Sequence, residues 1–199
     1  GEISEILGGS PYGFYVFNCQ APDAGNMEIL IEVGTSQQKK DYLTPLLEGK
    51  TRSCFAMTEP GYAGSNPTRM GTIAKKENGN YIINGHKWFT SSFDGADFAI
   101  VMVVTDPDEA NPYKRASQII VPTKTEGVEF VRNVSIMGHP GGGWESHAEI
   151  KFNNVIVPES SLLGSEGDGF AIAQKRLGPG RIHHCTVSYT HLRAHETLH

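Results

Sequence analysis

The chain has 199 residues, of which 38% are hydrophobic and 20% charged, with a formal net charge of -5. That length can bury one good core, or a core and part of a second. No apolar run approaches the length of a membrane span, and a net negative charge with scattered Lys and Arg argues against a nucleic-acid backbone as partner.

Residues 1–49 read as helical. The stretch Met27 to Val33 is apolar-rich and stops at Gly34, a helix end. Thr35 and Ser36 can cap a new helix, with Gln38 or Lys39 in its first turn. Tyr42, Leu43, Leu46 and Leu47 are expected to form its buried stripe, Gly49 closes it, and Pro45 is expected to kink or divide it.

From about Ser53 the hydrophobic period becomes that of strands. Asn78-Gly79 and Asn84-Gly85 each separate short apolar runs, the strongest local signal for a hairpin turn. Phe98 to Thr105 is a continuous apolar run suited to a buried strand. Further on, Ala148, Ile150 and Phe152 alternate with His147, Glu149 and Lys151, which leaves one face wet. The expected fold class is α+β: a helical segment, then an antiparallel two-sheet β domain of six to eight strands ending near Pro158, then the start of a helical bundle. The last helix enters near Gly169 after the Gly164–Gly169 turn, with Phe170, Ala173 and Leu177 on one face.

Cys19, Cys54 and Cys185 are far apart and odd in number, which suits a reducing, intracellular compartment and excludes a disulfide scaffold. The compartment would be cytoplasm in a bacterium, mitochondrion or peroxisome in a eukaryote. The chain opens on Gly1 rather than Met and reads as a fragment. His191, His195 and His199 stand at i, i+4, i+8, a spacing that could chelate a metal on a helix, but no carboxylate or cysteine partner is placed to help. Residues 186–199 resemble a translated library adaptor and are expected to be a non-native tail.

Two stretches carry candidate chemistry. In Cys54–Thr68 an apolar strand stops at Thr58-Glu59-Pro60, and small residues through Gly64 and Ser65 leave backbone amides open to a ligand. A serine–threonine turn between helix and sheet explains the same residues. In Gly85–Ser92, Trp88 and Phe89 are followed by Thr90, Ser91 and Ser92, so an aromatic could cover a planar cofactor while a hydroxyl meets its edge. One core aromatic, one exposed aromatic and a strand end account for that stretch too. The glycines of Gly138–Trp144 lack the Lys-Ser/Thr ending of a phosphate loop and read as a flexible surface loop.

Together, CFAMTEPGYAGSN, YIINGHKWFTS, IKFNNVIVPESSLLGSEGDGF and GTSQQKKDYLTPLLEGK resemble the acyl-CoA dehydrogenases in order and spacing, over roughly Gly1 to Cys185. FNCQAPDAGNMEIL and RLGPGRIHHC further resemble the branch of family members 10 and 11. The resemblance implies three domains: the end of an amino-terminal helical domain (1–50), a flavin-binding β domain (51–160) and the start of a carboxy-terminal bundle (161–185). It implies FAD, with Phe55, Met57 and Thr58 lining the flavin and Thr58 on its pyrimidine edge. Gly64 and Ser65 would face the pyrophosphate, Phe89 with Trp88 beside it would lie against the ring, and Ser91 would reach N5. Ser65 and Arg181 would touch an acyl-CoA substrate. An electron-transfer flavoprotein as acceptor and a homodimeric or homotetrameric parent follow from the same likeness.

Two departures stand out: in the family's Glu-Pro-Gly-Ala-Gly-Ser-Asp pattern Tyr62 is an extra residue and Asn66 takes the place of the Asp, and Gly178 replaces an Asp three residues before the arginine. The family's base is a Glu in the carboxy-terminal bundle. Glu59, Glu145, Glu149 and Glu166 do not stand in its place, so no catalytic residue is expected here. An oxygen-using oxidase or monooxygenase on the same fold, and a non-catalytic β-sandwich binding module, are the alternatives.

Overall fold

The computed structural model describes residues 2–10, 12–178, 180–181 and 185. The histidine-rich tail of 186–199 lies outside the described residues.

Among the described residues, five short helices come first: α1 (Glu2–Gly8), α2 (Gly13–Val16), α3 (Asp23–Val33), α4 (Ser36–Gln38) and α5 (Thr44–Leu47). Helix α3 ends at Gly34 as its sequence implies. It is pinned to the sheet by polar groups: Asp23 Oδ1 accepts from Ser53 N at 2.8 Å and from Ser53 Oγ at 2.6 Å. Thr35 and Gln38 form a reciprocal capping box, each satisfying the other's free backbone N–H. The Gln38 amide also donates to Ser160 and Leu162 carbonyls at 2.8 Å each, tying α4 to the far end of the β domain. Pro45 does not break the helix. The turn before it, Lys39–Leu43, widens to a π-turn in which Thr44 N donates to Lys39 O. The wider turn makes room for a ring that would crowd the carbonyl four residues back.

Eight strands follow among the described residues: β1 (Ser53–Ala56), β2 (Ile73–Glu77), β3 (Asn80–Ser91), β4 (Phe98–Val104), β5 (Ala116–Pro122), β6 (Val128–Asn133), β7 (His147–Pro158) and β8 (Leu162–Leu163). Their order is β6-β7-β3-β2-β4-β5-β8, with β1 beside β4. The pairing is antiparallel as expected except that β1 and β2 both run parallel to β4, which makes the sheet mixed. The chain leaves β1 through the 59–72 loop and the β2–β3 hairpin before β4 returns alongside. Hydrophobic period reports which face is buried, not strand direction.

One bridge, Ile73 to Val104, joins two halves of this sheet. The halves fold over a core of Tyr81, Ile83, Ile150, Phe152, Val155 and Val157 against Cys54, Ala56, Ala99, Val101, Val103, Ile119 and Val121. The other face of β4 and β5, with Phe98, Ile100 and Ile120, packs on Ile29, Leu30, Leu43 and Leu46 of the helices. Leu47, expected in the same buried stripe, is instead 56% exposed. Strand β4 is therefore buried on both sides, as its unbroken apolar run requires. Residues 169–178 form the last helix, α6, whose Ile172 and Ala173 are buried.

The two Asn-Gly pairs part company. Asn78 (φ 49°) and Gly79 (φ 77°) make the β2–β3 hairpin turn. Asn84-Gly85 makes none. It lies inside β3 where β7 bulges, Ile83 pairing with Val155 and Gly85 with Phe152. Asn84 Oδ1 accepts from the N–H of Asn154, which itself has φ 51°. Gly85 is needed for close approach: a Cβ there would lie 2.3 Å from Thr72 Oγ1.

Candidate functional site

Strand β1 runs out at Ala56, and the next residues are held by β3. Trp88 N donates to Thr58 O at 3.0 Å, and Thr58 Oγ1 donates to Trp88 O at 2.8 Å. The Thr58 proton is thus used, and its lone pairs remain to accept. Glu59 points inward. Its carboxylate accepts from Gly71 N at 2.6 Å, Thr72 N at 3.0 Å and Lys87 Nζ at 2.8 Å. Lys87 also donates to Met57 O at 2.8 Å. One buried ion pair therefore fixes both ends of the 61–70 loop and the end of β1. Residues 61–66 stand out in solvent, and the Tyr62 ring lies against Gly71, where a Cβ would come within 2.7 Å.

Strand β3 bulges a second time. Lys87 pairs with Ile150 and Thr90 with Ala148, leaving an extra residue on β3. There Phe89 adopts φ 49°, a left-handed conformation that is costly for a bulky side chain. The bulge turns Phe89 outward, edge-on to Trp88 at 4.8 Å, and leaves it 41% exposed. Strain of this kind concentrates at functional sites.

Phe89 faces a cavity of about 790 Å³ lined also by Gln20, Pro22, Phe55, Ser91, Ser92, Trp144, Glu145, His147 and Arg176, within the size range of small-molecule sites. Of the residues named from sequence, this cavity gathers Phe55, Phe89 and Ser91. Met57, Thr58 and Gly64 line a separate, very small crevice on the 59–70 side. Ser65 is exposed on the loop, and Trp88 is half-buried behind Phe89. Arg181 is helical and exposed, and does not line the cavity.

The cavity's arginine is instead Arg176. Its guanidinium lies 4.2 Å from the Phe55 ring centre and donates to Asn26 Oδ1 at 3.2 Å. Burial pushes its pKa down to about 10. The sequence did hold a signal for it: Arg176 sits three and four positions after the buried Ala173 and Ile172, on the apolar face of α6. Lys87 was legible in the same way, falling on the inward phase of Tyr81 and Ile83.

The Gly138–Trp144 loop is a surface loop, but it also forms a cavity wall. Ser92 Oγ donates to Trp144 O at 2.7 Å, Gly143 N donates to Asp94 Oδ2 at 3.1 Å, and the indole lies 5.2 Å from the Tyr15 ring. Those partners come from β3's end and from α2, which no local pattern in the loop could reveal.

Residues 54–155 match the family described as acyl-CoA dehydrogenase, middle domain. Acyl-CoA dehydrogenase family member 11 of Gallus gallus is 49% identical over 94% of this chain and 24% of its own length. Family member 10 of Mus musculus is 46% identical over 92% of this chain and 17% of its own. A solved structure of a candidate acyl-CoA dehydrogenase from Mycobacterium abscessus superposes with a TM-score of 0.85 at 41% identity, over 91% of this chain and 44% of that one. The chain spans about a quarter or less of the length of these two curated relatives.

Proposed function

The chain belongs to the acyl-CoA dehydrogenase family, and from that premise we propose that it is the flavin-cradling section of an enzyme converting a fatty acyl-CoA thioester to its trans-2-enoyl-CoA. In this reading 1–50 closes an amino-terminal helical domain, 51–160 is the flavin-binding domain and 161–185 opens the carboxy-terminal bundle. Residues 186–199 are a non-native tail. The single observation that carries the reading is the convergence of Phe55, the strained Phe89 and Ser91 on one cavity.

An FAD fits the residues present. The cavity has aromatic walls and hydroxyls at one edge, and Gln20 Oε1, buried beside it, has no hydrogen-bond partner among the described residues. The loop backbone is open as well, since a Cβ on Gly61 meets nothing within 4 Å. Bound FAD supplies the acceptor for the substrate's β-hydride. Phe89 and Phe55 cover the ring and exclude water, with Trp88 behind Phe89. Thr58 accepts at the polar edge with the lone pairs that its bond to Trp88 leaves free, and Met57 packs next to it. The amides around Gly64 and Ser65 receive the pyrophosphate, and Ser91 offers its hydroxyl near N5. Ser65 and Arg181 contact the acyl-CoA.

In this reading none of four carboxylates near the site is assigned as the base that takes the α-proton. Glu59 is committed to Lys87, Glu149 to Arg132 and His86, and Glu166 accepts from Tyr81. Glu145 alone of the four lines the cavity, from its exposed rim. Electrons pass to an electron-transfer flavoprotein, and the parent is a homodimer or homotetramer in the cytoplasm, mitochondrion or peroxisome.

The test is purification of the full-length protein. It is expected to be yellow and to reduce an electron acceptor when given an acyl-CoA. A folded but colourless protein would overturn the reading.

A further inference from the structure

Ser91 and His147 are register partners across the β3–β7 ladder, and Ser91 Oγ lies 2.8 Å from His147 Nδ1. Both line the large cavity. The β3 bulge at Phe89 and the docking of the Trp144 loop on Ser92 bring the end of β3 and the start of β7 together here.

A hydroxyl against an imidazole nitrogen has two arrangements. With the proton on Nδ1, the ring donates to Ser91 Oγ and the hydroxyl proton is free to point into the cavity. With the proton on Nε2, the hydroxyl proton is used on Nδ1 and only oxygen lone pairs face the cavity. His147 Nε2 has no hydrogen bond among the described residues that would favour the second form.

We propose that His147 is a positioning residue: it donates from Nδ1 to Ser91 and so turns the Ser91 hydroxyl into a donor toward the reacting edge of the bound flavin. The proposal rests on the flavin reading above and adds a second residue to it. Ser91 makes the contact, and His147 decides which way its proton points.

The experiment uses the FAD-bound full-length protein with Ser91→Ala, His147→Leu, the double variant and His147→Asn. Each of the first two is expected to shift the flavin's visible absorption in the same direction. Each should also slow flavin reduction by acyl-CoA about 2- to 10-fold, the loss of one hydrogen bond of ordinary strength. The double variant should do no more than either single one, because both remove one coupled interaction. His147→Asn, whose amide can donate from near the Nδ1 position, should restore most of the spectrum and rate. Additive effects in the double variant would overturn the proposal. So would an unchanged spectrum in His147→Leu beside a shifted one in Ser91→Ala.

A nitrogen-15 NMR measurement of the imidazole in the FAD-free wild-type protein covers the case in which His147→Leu does not fold. The Nδ1–H form is expected, altered by Ser91→Ala, and a ring in the Nε2–H form overturns the proposal. Failure to bind FAD at all would belong to the functional reading, whereas spectral silence in an FAD-bound variant would belong to this one.

Discussion

Among the described ion pairs, Glu59 and Lys87 are the only one with both side chains buried, at 3% and 0% exposure. Burial alone would raise the Glu59 carboxyl. The Lys87 charge, with hydrogen bonds from Lys87, Gly71 and Thr72, outweighs it and holds the carboxyl below the usual range. Burial pushes the Lys87 amine down to about 8, against the pull of Glu59. A carboxyl depressed in the folded state contributes stability above its unfolded pKa of about 4.3, lost as pH falls through the lower folded value. The chain should therefore lose stability in acid below about pH 4.3, and Glu59→Gln should flatten that dependence. Glu59→Gln leaves a buried lysine uncompensated and is expected to cost about 3–5 kcal/mol in urea unfolding. Combining it with Lys87→Met should recover most of the loss, and a double variant as weak as the single one would show that charge is not the cause. Phe89 makes a second residue-scale prediction. Phe89→Gly removes the left-handed strain that Phe89→Ala retains, so the glycine variant should be about 1 kcal/mol more stable than the alanine one. Both should weaken FAD binding in the full-length protein by at least about tenfold, the order of one lost aromatic contact.

At the scale of elements, β3 is the piece on which the site depends, and its irregularities matter more than its length. Its twelve residues carry the inward phase of Tyr81, Ile83 and Lys87, then a bulge that re-aims Phe89 and Ser91. The inward phase could be read from alternation. The bulge could not, because an extra residue shows only against a partner strand, and β7 lies some sixty residues further on, from His147. Asn84-Gly85 shows the same limit: its composition is that of a hairpin turn, yet the approach of Thr72 and the pairing with β7 keep it in a strand. Gly85→Ala should cost about 1–3 kcal/mol, since its Cβ would overlap Thr72. Gly61→Ala, in open space, should stay within about 0.5 kcal/mol of wild type. Equal effects at both glycines, measured by urea unfolding, would contradict the packing argument.

At the scale of the whole molecule, the cavity is walled by α3's approach, β1, β3, the Trp144 loop and α6. In the functional reading the rest of its enclosure comes from the carboxy-terminal bundle. The 199-residue chain titrated with FAD should then bind weakly, in contrast to the full-length protein. Tight stoichiometric binding by the chain alone would contradict that division of the site.

What the sequence determined by itself follows from local rules and linear motifs. The helix stop at Gly34, the Thr35–Gln38 cap, the Asn78-Gly79 turn and the buried β4 each depend on residues close together in the chain. The family motifs named Phe55, Phe89 and Ser91 as expected flavin contacts along with Met57, Thr58, Gly64, Ser65 and Trp88, and only the first three line the large cavity. Only the tertiary structure decided that β1 and β2 run parallel to β4, that Asn84-Gly85 stays in a strand, and that Arg176 rather than Arg181 lines the cavity. It alone set His147 against Ser91 and Glu59 against Lys87. The physical reason is common to these cases. Strand direction, bulges and buried polar partners are fixed by hydrogen bonds between residues distant in sequence, and those partners are chosen when the layers close over one another.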